Sequence, residues 1–220
     1  MLNSSKNAFW EALVMAVFVF SFGILLGFLL ENSRTLKISD MYEQSNLDLL
    51  DVRIQNDIFS LSDVDCGILA LENTKFADRI YGEAKLLDKY EISNKVSDSI
   101  SLQHKKYDLM RALLWVNSIK LREKCNSSVH DAVYLYDYNN PSLEAKAKQN
   151  VFSKMLGEVK SDVGGNVILI PLSGDNGIFS VSLLMNLYGV SEQDLPVILI
   201  DEKVKITGVV GKDEILKYLQ

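Results

Sequence analysis

Few residues in this chain have the type and spacing to do chemistry: two cysteines, two histidines, one Asn-Asn-Pro-Ser tetrapeptide and one glycine-rich turn. Cys66 and Cys125 lie about 60 residues apart, so they form no Cys-x-x-Cys pair. Two thiols without neighbouring histidines are too few for a zinc site. His104 falls inside a helical stretch and reads as a surface or packing residue. His130 follows Cys125 by five positions, but a Cys–His nucleophile also needs an orienting group and an oxyanion site. Neither is visible. Ser173-Gly174-Asp175-Asn176-Gly177 lacks the lysine and the spacing of a phosphate loop, so it reads as a turn that Asp175 can cap. These residues predict no catalytic group, no metal site and no cofactor.

The elements that would position them begin with an apolar segment. From Ala12 to Leu30 there are 19 residues without a charge. As a helix they span roughly 28 Å, close to the hydrocarbon thickness of a bilayer. Trp10 sits at one edge, where an indole favours the interface. A cleaved signal peptide would have a shorter core and a small-x-small exit, whereas this run leaves through Gly27-Phe28-Leu29-Leu30-Glu31. The segment reads as an uncleaved anchor in contact with the lipid bilayer through residues 12–30. Gly23 and Gly27 have the spacing of a close helix–helix contact, a weak signal for homo-oligomerisation. The flanks carry Lys6 on one side and Arg34 and Lys37 on the other, so charge does not decide orientation. A short tail before a single apolar segment behaves as a signal anchor. That arrangement predicts a single-pass protein with a cytoplasmic N-terminus and an extracytoplasmic domain.

Three regions follow: an anchor over 1–31, a helical stalk or hairpin over 32–125, and an α/β domain over 126–220. In the second, Leu47, Leu50, Ile54, Ile58 and Leu61 form one apolar stripe, and the helix carrying them can run on from the anchor. A second helix, capped by Ser62-Asp63, has Ile68, Leu71, Phe76, Ile80 and Leu87 as inward candidates. Ser93-Asn94 breaks the pattern. A third helix places Val96, Ile100, Tyr107, Met110, Leu114 and Leu121 on one side. Beyond Asn126 the pattern changes to strand (132–136), helix (141–162), strand (166–171), short helix (180–188), strand (196–200), strand (204–208) and helix (212–219). Asn140 is the expected cap of the helix that starts at Pro141. The net charge is −6. Residues 126–220 hold 8 basic against 12 acidic side chains, the wrong balance for nucleic acid.

This β-α-β-α-β-β-α order, with Leu195-Pro196 immediately before an apolar strand, resembles the thioredoxin fold over about 90 residues. The combination with an anchor is similar to archaeal or bacterial membrane-anchored members of that superfamily. The resemblance implies a cis bond at Leu195-Pro196 and a redox motif where the first strand meets its helix. At that place the chain has Asn139-Asn140-Pro141-Ser142, an amide and a hydroxyl in place of two thiols. Dithiol exchange needs one thiolate to attack and another to resolve, so the scaffold is expected without the chemistry. A membrane-tethered module that binds or assembles a protein partner along the proline edge is the leading expectation. A thiol-disulfide enzyme or folding factor using Cys66 and Cys125 is the rival, and a structural subunit of a membrane complex is a third reading. The cysteines could form a structural bridge if the second and third helices are an antiparallel hairpin, or remain two unrelated thiols.

Overall fold

A computed structural model of the chain describes residues 2–61, 65–91 and 98–219. The first helix, α1, runs Leu2–Leu61. Within it Phe9–Ser33 is long and apolar enough to cross a membrane. The helices α2 (Cys66–Glu91) and α3 (Asp98–Cys125) follow. Then come β1 (His130–Tyr136), α4 (Leu143–Val163), β2 (Val167–Ser173), α5 (Phe179–Leu187), β3 (Val197–Ile200), β4 (Val204–Ile206) and α6 (Lys212–Leu216). The chain divides into two compact units, Met1–Asp51 and Val52–Gln220, and α2 and α3 fall with the sheet in the second.

The four strands form one mixed sheet in the order β2-β1-β3-β4. β1 and β2 are parallel, with Tyr136 opposite Ser173, while β3 is antiparallel to both β1 and β4. Parallel pairing demands a crossover, which α4 supplies. Val, Ile, Leu and Tyr dominate the strands, the types that fit a pleated and buried surface. Alternation sends Ala132, Tyr134, Ile198 and Ile200 into one layer with Phe152, Met155, Leu156 and Val159 of α4 and Ile215 of α6. The intervening Val133, Leu135, Ile170, Leu172 and Leu199 are equally buried, and α3 covers that side with α5 packed against α3. Burying each such side chain favours folding by about 2 kcal/mol.

The helix boundaries have local causes. Asp65 caps α2, its Oδ1 accepting from Gly67 N at 2.7 Å and Ile68 N at 3.2 Å. The expected Ser62-Asp63 cap and Ser93-Asn94 break lie outside the described residues. Ser142, not Asn140, caps α4: its Oγ accepts from Ala145 N at 3.0 Å. The helix therefore starts two residues later than Pro141 suggests. Gly164 ends it at φ 57°, a left-handed conformation that favours glycine.

The helical region matches expectation on α3 and departs from it on α1 and in the first turns of α2. Phe76 and Ile80 are buried on α2, but Leu69 and Asn73 are the inward residues of its first turns, while Ile68 and Leu71 face solvent. On α1, Val52 is buried, and Leu47, Leu50, Ile54 and Ile58 are exposed. Periodicity establishes that these four share a face; it does not say what covers that face. Tyr107, Met110, Leu114 and Leu121 of α3 are buried as expected, together with Trp115.

Antiparallel packing of α2 on α3 brings Asn73 Nδ2 to Ser118 Oγ at 2.9 Å. It also joins Cys66 to Cys125 in a disulfide with Cα atoms 5.6 Å apart. The bridge closes a loop over a separation of 59 residues. The double variant Cys66→Ser/Cys125→Ser is expected to lose about 4 kcal/mol of stability in the chain-entropy picture. Urea denaturation of the full chain checks this, and an unchanged midpoint would contradict it.

Candidate functional site

Three loops meet where β1 and β2 end and β3 begins. The first is Asp137–Ser142, the second Gly174–Ile178, and the third Ser191–Pro196. Gly174 N donates to Tyr136 O at 2.9 Å, which ties the second loop to the end of β1. A Cβ at Gly174 would stand 2.8 Å from Leu195 Cδ1, so the glycine lets the Leu195 side chain of the third loop lie directly against the second. The Leu195-Pro196 peptide bond is cis, and Pro196 is buried just ahead of β3.

Asp175 organises the first loop. Its carboxylate accepts from Tyr138 N at 2.8 Å, Asn139 N at 2.7 Å and Ser173 Oγ at 2.9 Å. Asn139 Nδ2 donates in return to Asp175 O at 2.8 Å. Gln149 of α4 reaches back with Nε2 to Asp137 O at 2.8 Å. Asn139 and Asn140 remain exposed, Pro141 is half-buried, and Ser142 is occupied as the cap of α4. Burial works against the Asp175 carboxylate, yet the N–H groups of Tyr138 and Asn139 hold it below the usual range. Its neighbour Asp137 is raised by burial and by the hydrogen bond the two carboxyls share, with Glu192 adding repulsion.

Underneath, α3 supports these loops through polar side chains that sequence patterning assigned to no role. Asp108 is fully buried and accepts from Asn176 Nδ2 at 3.0 Å and Ser173 N at 3.4 Å, with Arg111 3.5 Å away. Burial raises its pKa, and Asn176 and Arg111 oppose that shift. Of the two readings of His104, surface or packing, the second holds: it is buried, its ring 4.4 Å from that of Tyr138. Arg111 is a local partner of Asp108 at i+3, but the hydrogen-bond donors Ser173 and Asn176 lie 65 and 68 residues away.

A second polar cluster lies at the opposite end of the sheet. Arg122 of α3 pairs with Asp131 at the start of β1, with Glu202, and with Asp201 at 3.3 Å. His130 Nδ1 is 2.6 Å from Asp201 Oδ2, and Trp115 Nε1 donates to Glu202 at 2.6 Å. Asp201 and Glu202 form the β3–β4 turn at φ 49° and 59°, costing about 1 kcal/mol each. Burial pushes Asp131 up to about 7, although the Arg122 guanidinium pulls the other way.

The remaining candidates do not join either cluster. Cys66 and Cys125 are bonded to each other next to the entrance of β1, whereas the Asn139 loop leaves its exit. A Cβ on Gly23 or Gly27 would meet nothing within 4 Å. The three-loop region thus presents amide, hydroxyl and carboxyl groups and no thiol. No known protein family, curated protein or solved structure matches this chain.

Asp175→Ala is expected to destabilise the chain by about 2 kcal/mol through loss of charge-assisted hydrogen bonds. Amide hydrogen exchange should quicken at Tyr138 and Asn139, and unchanged protection there would refute the assignment. Asp131 supplies a pH test. Between about pH 4 and pH 7 it holds a proton in the folded chain that the unfolded chain has lost, so stability falls as pH rises across that window. Asp131→Asn should remove up to about 4 kcal/mol of that fall. Urea midpoints running parallel for wild type and variant would contradict the prediction.

Proposed function

We propose that the chain is a membrane-tethered, thioredoxin-like module that holds a protein partner on the extracytoplasmic face and carries out no thiol-disulfide exchange. The observation that carries this reading is the set of residues at the three-loop site. Asn139 and Ser142 stand where the fold's redox pair would be, and both are committed to holding the loop and capping α4. The strand order β2-β1-β3-β4, with the third and fourth strands antiparallel, supports the thioredoxin-like assignment. The placement of Pro196 opposite the β1–α4 loop supports it as well. The apolar span Phe9–Ser33 supports tethering. The Cys66–Cys125 disulfide supports an oxidising compartment, which is the extracytoplasmic side.

The rival, a thiol-disulfide enzyme working through Cys66 and Cys125, would place its chemistry at the far end of α2 and α3 from the three loops. A photo-cross-linking residue at Asn140 or Gln193 of the membrane-embedded chain is expected to capture a discrete polypeptide. The same residue at Glu158, on the outer face of α4, should not. Protease added to intact cells should remove the adduct, and a protected adduct would overturn the extracytoplasmic placement. The full chain should show only background turnover in insulin reduction. Turnover abolished by Cys66→Ser would replace the module with the enzyme.

A further inference from the structure

The face of α5 that turns away from the sheet is apolar and uncovered. Phe179, Leu183 and Leu187 recur at four-residue steps and are 81%, 57% and 69% exposed, while Val181 and Met185 are buried beneath. No residue of α5 carries a charge. Single exposed leucines are ordinary, but three large apolar side chains on one face of a nine-residue helix form a contact surface. A cleft of about 380 Å³ runs beside it, lined among others by Gly174, Ser182, Asn186, Val190 and Glu192.

Acidic groups dominate around this surface, where Lys205 is already held by Asp194 at 3.0 Å and by Gly189 O at 2.8 Å. Asp175 precedes α5 by four positions and keeps its negative charge; Asp137 shares a hydrogen bond with it; Glu192 lines the cleft and repels Asp137. Burial, backbone N–H groups and one another are the leading influences on the two aspartates, with no cation among them. A second copy of the chain would bring the same acidic groups, and an anionic lipid surface would be repelled. A cationic and apolar segment satisfies both features.

We infer that the α5 face and its adjoining cleft take a polypeptide segment of a protein partner in which lysine or arginine neighbours large apolar side chains. The apolar groups lie against Phe179, Leu183 and Leu187, and the basic group faces Asp137, Asp175 and Glu192. This rests on the binding-module reading above and adds the chemistry of the partner. Rim charges of this kind set specificity and salt dependence more than raw affinity.

The test is fluorescence anisotropy on the full chain in phosphatidylcholine nanodiscs, with empty nanodiscs as reference. The probes are a labelled short peptide of Lys, Leu, Phe and Ala and its counterpart with Glu in place of Lys. The basic peptide should bind saturably, about tenfold more tightly than the acidic one, with the preference shrinking at high salt. Leu183→Asp, at an exposed position, should weaken the basic peptide about tenfold. Asp137→Asn/Glu192→Gln should remove the preference between the peptides. Equal binding of both peptides, still lost in Leu183→Asp, overturns the charge inference and leaves the module reading intact. No saturable binding of either peptide overturns both. Binding indifferent to Leu183→Asp, or self-association that this variant abolishes in the absence of peptide, overturns the proposed surface.

Discussion

Arg122 ties together three parts of the chain at one end of the sheet. It projects from the last turns of α3, and its guanidinium reaches the first residues of β1 and the turn between β3 and β4. Asp131 is completely buried and would be costly as an isolated carboxylate; removing the arginine from such a cluster costs on the order of 3–5 kcal/mol. The pairing also fixes where α3 lies along the sheet. Because a helix is a stiff ruler of about 1.5 Å per residue, setting Arg122 at one end sets Asp108 about 21 Å away at the other. Asp108 then stands under the loops that carry Ser173 and Asn176. The disulfide three residues past Arg122 ties α2 to the same frame.

The two ends of the sheet are built from similar residues for different ends. At the Arg122 end each acidic group is opposed by a cation or an indole, and the result is a lock. At the three-loop end, Asp175 spends its lone pairs on backbone N–H groups, and Asp137 lies between the charges of Asp175 and Glu192 with the Asn140 N–H opposing them. Opposed charge favours stability, whereas residual charge beside an apolar face favours recognition of something external.

Much of the sheet was legible because its strands depend on local signals. Ala132–Tyr136, Val197–Ile200 and Val204–Ile206 are β-branched or aromatic runs bounded by polar residues, and each is a strand. The start of α4 was misread because Asn140 and Ser142 are both competent caps. The choice between them is made by Asp175, which pins Tyr138 and Asn139 from a loop more than thirty residues away. The same non-locality hid the burial of Lys106 and Asp108, polar residues to which the apolar stripe of α3 gives no role. On α2 Phe76 and Ile80 are buried as read, but in the first turns Leu69 and Asn73 face inward in place of Ile68 and Leu71. Two adjacent apolar residues leave that choice to whatever packs against them, and α3 makes it.

Pro171 lies in β2, the outermost strand of the sheet. A proline takes one donor out of a strand, which an edge tolerates and an interior does not. The opposite edge, β4, is only three residues long. A foreign strand arriving on either side meets a ladder that is interrupted or too short to template it. The domain is thereby guarded against growing by edge-to-edge addition, a hazard that rises steeply for any protein crowded into two dimensions.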